Sequence, residues 1–244
     1  MRIDAGRIHA INAVHESLTV ATLPDYALVG EGQMLATVKI IPYATPRNAL
    51  DAALERAQGA DGAIAVAPYR GLGAGLILTR LPETRSSVLA KMRSAVEKRL
   101  APLAAQLRAE AVVPHETAAV AAALRGLAAR PDIDAVLISG IAATVDRQDV
   151  VPASIVDAGG VIVHAGMPVD PGNLLVLGWL ARTGSRCAVV GIPTCARSPK
   201  LNGFDFVLRR LAAGLEVSGW DIMRMGVGGL LGEIPTRPMP REER

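Results

Sequence analysis

The sequence predicts an α/β protein, a three-layer arrangement in which a mostly parallel sheet lies between helices, preceded by a small α+β lobe. Three observations predict it. From residue 75 onward, short apolar runs alternate with longer helix-compatible stretches, the pattern of strands joined by crossover helices. Three of those runs, at residues 135–138, 161–163 and 188–190, each lead into a small, polar, proline-marked turn. Half of the 244 residues are hydrophobic and only 3% are aromatic, so the chain can bury one sizeable core built from Ala, Val, Leu and Ile.

The elements follow in order. Residues 1–70 have the texture of the small lobe, with β-rich stretches at 17–23, 27–30 and 34–42, a short helix at 48–58 and a strand at 63–68. Residues 69–75 carry three glycines and mark a boundary or hinge. The large domain, residues 75–232, begins with a strand at 76–79 and a long helix at 86–107. A strand at 109–113, a helix at 116–129 and a strand at 135–138 continue the alternation. A helix at 150–158, strands near 161, 174 and 187, and a helix at 203–215 complete it. The runs at 135, 161 and 188 are read as buried parallel strands, because they are short and rich in Val and Ile. Residues 233–244, proline-rich and charged without apolar periodicity, read as a tail or a shortened linker.

Composition excludes several function classes. The formal charge is +3, but the arginines are scattered and stacking aromatics are scarce, so nucleic acid is not expected as a partner. Two cysteines, Cys187 and Cys195, give neither a disulfide framework nor a Cys-x-x-Cys metal pair, and a reducing, cytoplasmic setting is expected. The first residues lack the build of a signal peptide, and no apolar run reaches the roughly 20 residues that span a bilayer.

The chemistry lies in the three turns. They read S-G-I-A-A-T-V-D-R-Q-D-V-V-P (139–152), M-P-V-D-P-G-N-L-L (167–175) and G-I-P-T-C-A-R-S-P-K-L-N-G-F-D (191–205). In an open parallel sheet, ligands sit beyond the carboxyl ends of the strands, where these Ser, Asp, Asn and Cys side chains fall. Backbone amides at Ser139 and Gly140 can cradle a phosphate, and Gly140 permits close approach. Ser198 and Lys200, just ahead of the helix at 203, suit an anion as well. Asp146 and Asp149 share one turn and can hold a divalent ion such as Mg²⁺; Asp149 is equally placed to cap the helix that starts at Val150. Asn173 reads either as a ligand contact or as a turn residue bonding its own backbone. Cys195 reads either as a thiolate at the ligand edge or as a packed thiol. His115 reads as a surface histidine at a helix start, His164 as a core histidine, and Lys39 as part of a solvated strand face.

The succession S-G…V-D-x-x-D-V-x-P, P-G-N-x-L, P-x-C-x-x-S-P-K-x-N-G-F-D and M-G-V-G-G-L, in that order from about Gly75 to Leu231, resembles the molybdopterin-binding domain family of molybdenum-cofactor biosynthesis. The wording is most like the molybdopterin-binding half of bacterial fusions with a nucleotidyltransferase domain. The resemblance implies a ligand site for molybdopterin or the molybdenum cofactor at the strand ends, with Asp149 contacting the cofactor or its metal. It further implies site roles for Thr79 and Glu83, Ser139 and Gly140, the turn Pro171, Gly172 and Asn173, and Cys195, Ser198 and Lys200. A dimer or trimer is also implied. The chain departs from the family at Arg80 and at His115, where relatives place an aspartate after the proline.

Three functions stay open at this point. The first is binding of molybdopterin in cofactor maturation, with presentation to a nucleotidyltransferase domain or protein. The second is catalysis as a Mg²⁺-dependent molybdotransferase or nucleotidyltransferase, with a nucleotide as co-substrate, Asp146 and Asp149 holding the metal, and Arg80, Arg147 or Lys200 balancing charge. The third is a non-catalytic scaffold.

Overall fold

The structure, a computed structural model, describes residues 1–59 and 62–232, in two compact units: Met1–Pro68, and a second that starts at Tyr69. The expected tail at 233–244 lies outside the described residues.

In the first unit, β1 (Arg2–Ile3) leads into α1 (Ala5–Asn12), whose N-terminus is capped by Asp4, its carboxylate accepting from the Arg7 amide at 3.0 Å. The sequence reading missed α1 because only Ile8 and Ile11 are buried along it, too few to show a period. Strands β2 (Leu18–Thr22) and β3 (Ala36–Ile40) form an antiparallel pair, followed by α2 (Arg47–Ala57) and β4 (Ile64–Ala65), which pairs back to β1. Residues 27–30, expected as β-rich, form no strand, and the strand expected at 63–68 is two residues long. A small core of Ile11, Leu18, Ala49 and Ala53 holds the unit together.

The second unit is an α/β domain of three layers. Its strands are β5 (Gly73–Arg80), β6 (Gln106–Pro114), β7 (Ala135–Ser139), β8 (Val161–Ala165), β9 (Val176–Arg182) and β10 (Ser185–Gly191), arranged as β6-β5-β7-β10-β9-β8. The pairs β5·β6, β5·β7 and β7·β10 are parallel; β9 is antiparallel to both of its neighbours. Among the described residues, five strands of this sheet therefore share one direction and β9 runs against them. The crossover helices are α3 (Ser86–Leu100), α4 (Thr117–Ala128) and α5 (Val150–Asp157); α6 (Gly203–Ala212) and the single turn α7 (Gly219–Met223) follow β10.

Successive strand residues alternate between two cores. Leu76, Leu78, Leu137 and Val190 face Met92 and Val96 of α3 and Phe204, Val207 and Leu208 of α6. Ile77, Val136, Ile138 and Val189 face Val120 and Leu124 of α4 and Val151 and Ile155 of α5. β5 is buried along almost its whole length because both faces are covered, and its run of Leu and Ile reflects that.

Several expectations are corrected. Gly73 and Gly75 belong to β5 rather than to a hinge: a β-carbon on Gly73 would collide with the Asp132 carbonyl oxygen, and one on Gly75 would meet Ile133 at 3.2 Å. The helix expected at 86–107 stops at Leu100, where a 3₁₀ turn containing Pro102 and a left-handed Ala104 (φ 52°) redirect the chain into β6. The run at 161–163 is an edge strand paired antiparallel, with Val161 exposed, rather than a buried parallel one. Among the described residues, no helix is long and apolar enough to cross a membrane.

Candidate ligand site at the carboxyl edge of the sheet

Because β5, β6, β7, β8 and β10 point the same way, their carboxyl ends, and the loop that feeds β9, fall on one edge of the sheet. The three polar turns meet there, and hydrogen bonds tie them together. Arg197, at the end of the 3₁₀ turn Thr194–Arg197, donates through Nη2 to the carbonyls of Gly140 (2.9 Å) and Ile141 (3.0 Å), joining the third turn to the first. The Gly203 amide donates to the Pro171 carbonyl at 2.8 Å, joining the third turn to the second.

In the first turn, Ser139 and Gly140 are buried at the end of β7. Ser139 pairs in register with Leu78 and shares its face, so its hydroxyl opens into a narrow cleft walled by Met92, Val96, Ile192 and Phe204 and flanked by Arg99 and Arg197. A β-carbon on Gly140 would meet the Ala142 carbonyl oxygen at 3.2 Å and Val151 at 3.3 Å, so only glycine makes this bend without displacement. The Asp149 carboxylate turns away from α5: its Oδ2 accepts from the amides of Val145 (2.7 Å) and Asp146 (2.9 Å), and it makes no side-chain cap. Those two amides hold the carboxyl below the usual aspartate range, against desolvation, which pulls the other way. Asp146 similarly accepts from the Gln148 amide at 2.7 Å. One oxygen of each carboxylate is thus committed to the turn itself. Among the described residues, no three His, Cys, Asp or Glu side chains gather to hold a metal ion.

Thr79 lies on the opposite face from Ser139. It is completely buried at the end of β5, its Oγ1 accepting from the Ile141 amide at 2.8 Å and lying 2.8 Å from Nδ1 of His115. Burial lowers the His115 pKa below the usual histidine range, against the opposing pull of the Asp149 charge. Glu83 is exposed in the loop after β5, without a hydrogen-bond or ion-pair partner among the described residues.

The second turn is shaped by packing. The Asp170–Pro171 peptide is cis, and Gly172 is buried at φ +138° against the start of α6. Asn173 is exposed, and its carbonyl accepts from the Met167 amide at 2.9 Å.

In the third turn, Cys195 is exposed rather than packed, and its Sγ accepts from Nδ2 of Asn202 at 3.2 Å. Asn202 also caps α6 in a reciprocal box with Asp205. Ser198 and Lys200 are exposed, and Arg99 holds the turn down by donating to both their carbonyls, at 2.7 and 3.2 Å. Arg80, Arg147, Arg197 and Lys200 have no ion-pair partner among the described residues, and they share these loops with the acids Glu83, Asp146 and Asp149.

Sequence reasoning named neither Arg99 nor Arg197 as a site residue. Arg197 stood within a polar turn, which is a usable signal. Arg99 sits in a helix 99 residues ahead of Ser198, and nothing local marks it.

No family model and no curated protein matches this chain. Among solved structures, it is similar over part of its length to molybdenum cofactor biosynthesis protein B (10% identity, TM-score 0.41, 59% of this chain and 95% of the other). It is also similar to a molybdenum cofactor biosynthesis protein from Corynebacterium diphtheriae (14% identity, TM-score 0.39, 60% of this chain and 99% of the other). At these values the likeness assigns no residue a role.

Proposed function

We propose that this chain binds molybdopterin or the molybdenum cofactor, in the biosynthesis or maturation of that cofactor, with the ligand's phosphate end at the carboxyl edge of the sheet. One observation carries the reading: the three turns whose succession resembles the molybdopterin-binding family are gathered at one edge and fastened to each other through Arg197 and through the Gly203–Pro171 bond. The donor set suits an anionic ligand with polar edges. Arg80, Arg147, Arg197 and Lys200 supply positive charge, and the hydroxyls of Ser139 and Ser198 and the amides around Gly140 supply hydrogen bonds. In this reading Asp149 acts by holding the first turn in shape. Presentation to a nucleotidyltransferase, and assembly of several copies, belong to the same proposal.

The transferase reading asks more of Asp146 and Asp149. Each has one oxygen engaged by backbone amides and one left over, so a Mg²⁺ held there would draw its remaining ligands from water and the substrate phosphate. Binding asks for no such metal and is the reading adopted.

The test is a titration of the purified protein with molybdopterin, comparing wild type with Asp149→Ala and Arg197→Ala. Micromolar or tighter binding is expected in wild type, weakened about tenfold or more in each variant, which is the cost of about one charge-assisted hydrogen bond. Absence of wild-type binding at micromolar concentration overturns the reading.

A further inference from the structure

We infer that His115 is a positioning residue for the first turn, acting through the Thr79 hydroxyl on the Ile141 amide. The inference takes its ligand from the reading above; its geometry stands apart from it.

Thr79 Oγ1 has two neighbours, both at 2.8 Å: the Ile141 N–H, which can only donate, and Nδ1 of His115. The amide occupies one lone pair of the hydroxyl oxygen. The hydroxyl proton then needs an acceptor, and Thr79 is fully buried, so water does not supply one. Nδ1 of His115 is the acceptor within reach. This fixes the imidazole as the tautomer with its proton on Nε2, and it orients Oγ1 toward Ile141. His115 is itself anchored on the other side, its backbone amide donating to the Arg80 carbonyl at 2.9 Å.

The chain of contacts therefore runs from β6 through Thr79 at the end of β5 to the residue that follows Gly140. Arg197 grips the same place from the opposite side, through the carbonyls of Gly140 and Ile141. The peptides after β7 are held by their N–H on one side and by their carbonyls on the other, and this two-sided hold keeps the turn from sagging. His115 contributes an acceptor at a defined position. A group that supplies an acceptor at the same distance from the backbone preserves the function, and an apolar group of similar size abolishes it. Asparagine meets the first description, because its Oδ1 sits about where Nδ1 does, and leucine meets the second.

The experiment compares wild type, His115→Leu, His115→Asn and Thr79→Val by amide hydrogen exchange at Ile141 and by molybdopterin titration. His115→Leu and Thr79→Val are expected to speed Ile141 exchange and weaken binding about tenfold, one hydrogen bond's worth, with His115→Asn restoring both to within about threefold of wild type. If His115→Leu leaves Ile141 exchange unchanged, or if His115→Asn is as impaired as His115→Leu, the inference is wrong. A wild-type protein that binds no molybdopterin refutes the proposed function, while the exchange measurement still decides the role of His115.

Discussion

Arg99 and Asp205 lie 106 residues apart in sequence and 2.8 Å apart in space, bridging α3 and α6 with both side chains nearly out of contact with water (9% and 13% exposed). The same guanidinium serves the Ala95, Ser198 and Lys200 carbonyls. Removing it strips the nearly buried Asp205 carboxylate of its ion pair, leaving only the Asn202 amide on its other oxygen, and frees the Ser198 and Lys200 carbonyls from α3. Arg99→Ala should therefore destabilise the protein by roughly 3 kcal/mol or more in chemical denaturation. A loss below about 0.5 kcal/mol, as for a surface pair, would show that the bridge is ornamental.

Gly172 should tolerate no side chain. Its φ of +138° strains any other residue, and a β-carbon would come within 2.6 Å of the Gly203 nitrogen and 2.8 Å of its Cα, both backbone atoms that cannot step aside. Gly172→Ala should cost about 3 kcal/mol and lower Tm by roughly 6–12 °C. Gly159, at φ +85° with open space around it, is the control: Gly159→Ala should cost only about 1 kcal/mol.

The two thiols should behave oppositely. Cys195 is exposed and should react with a thiol reagent in the native protein, whereas Cys187 is buried, its pKa pushed up to about 11 by desolvation. One equivalent should react natively and two after denaturation. The folded protein binds the Cys187 proton more tightly than the unfolded chain does, so stability is complete below the unfolded value near 9 and falls as pH rises from about 9 to 11, by about 3 kcal/mol. Cys187→Ala should flatten that part of the pH profile.

Asp149 sets the acid side. Its pKa is lowered by the amides it accepts from, so the turn keeps its anchor at neutral pH and loses it only as pH falls below the ordinary aspartate range. Amide exchange at Val145 and Asp146 should be slow at pH 5 in wild type and fast at the same pH in Asp149→Ala. Equal rates in the two proteins would remove the carboxylate from any role in shaping the turn.

The α/β class and the location of the turns were legible because β-branched runs and Gly, Pro, Asn and Ser punctuation are local signals, as at Ser139, Pro171 and Ser198. The place of each strand in the sheet was not. Val161, Ile162 and Val163 read the same at an exposed antiparallel edge as in a buried parallel centre, and only the hairpin connecting β8 to β9 to β10 decides between them. The face on which a site residue lies was equally hidden. Thr79 and Ser139 both end strands and both looked like ligand contacts, yet the register puts them on opposite sides of the sheet, with Thr79 turned into a hydrogen-bond chain. Asp149 read either as a ligand or metal contact or as the cap of the helix at Val150; its carboxylate makes no such cap and instead accepts from the amides of the loop before the helix, a choice made by loop geometry.

The reversed strand β9 also sets an order of events. β5, β6 and β7 can associate as soon as residue 139 is made, each crossover closing over a few tens of residues. The centre of the sheet has to wait, because β7 gains its other neighbour only when the chain has travelled to the far edge and returned as β10. The fastenings of the site come later still, from Arg197 and Gly203. Such long-range closure is slow, so the three turns should be joined only at the final stage of assembly, and chains halted before that stage should carry much of the sheet with its carboxyl-edge turns still apart.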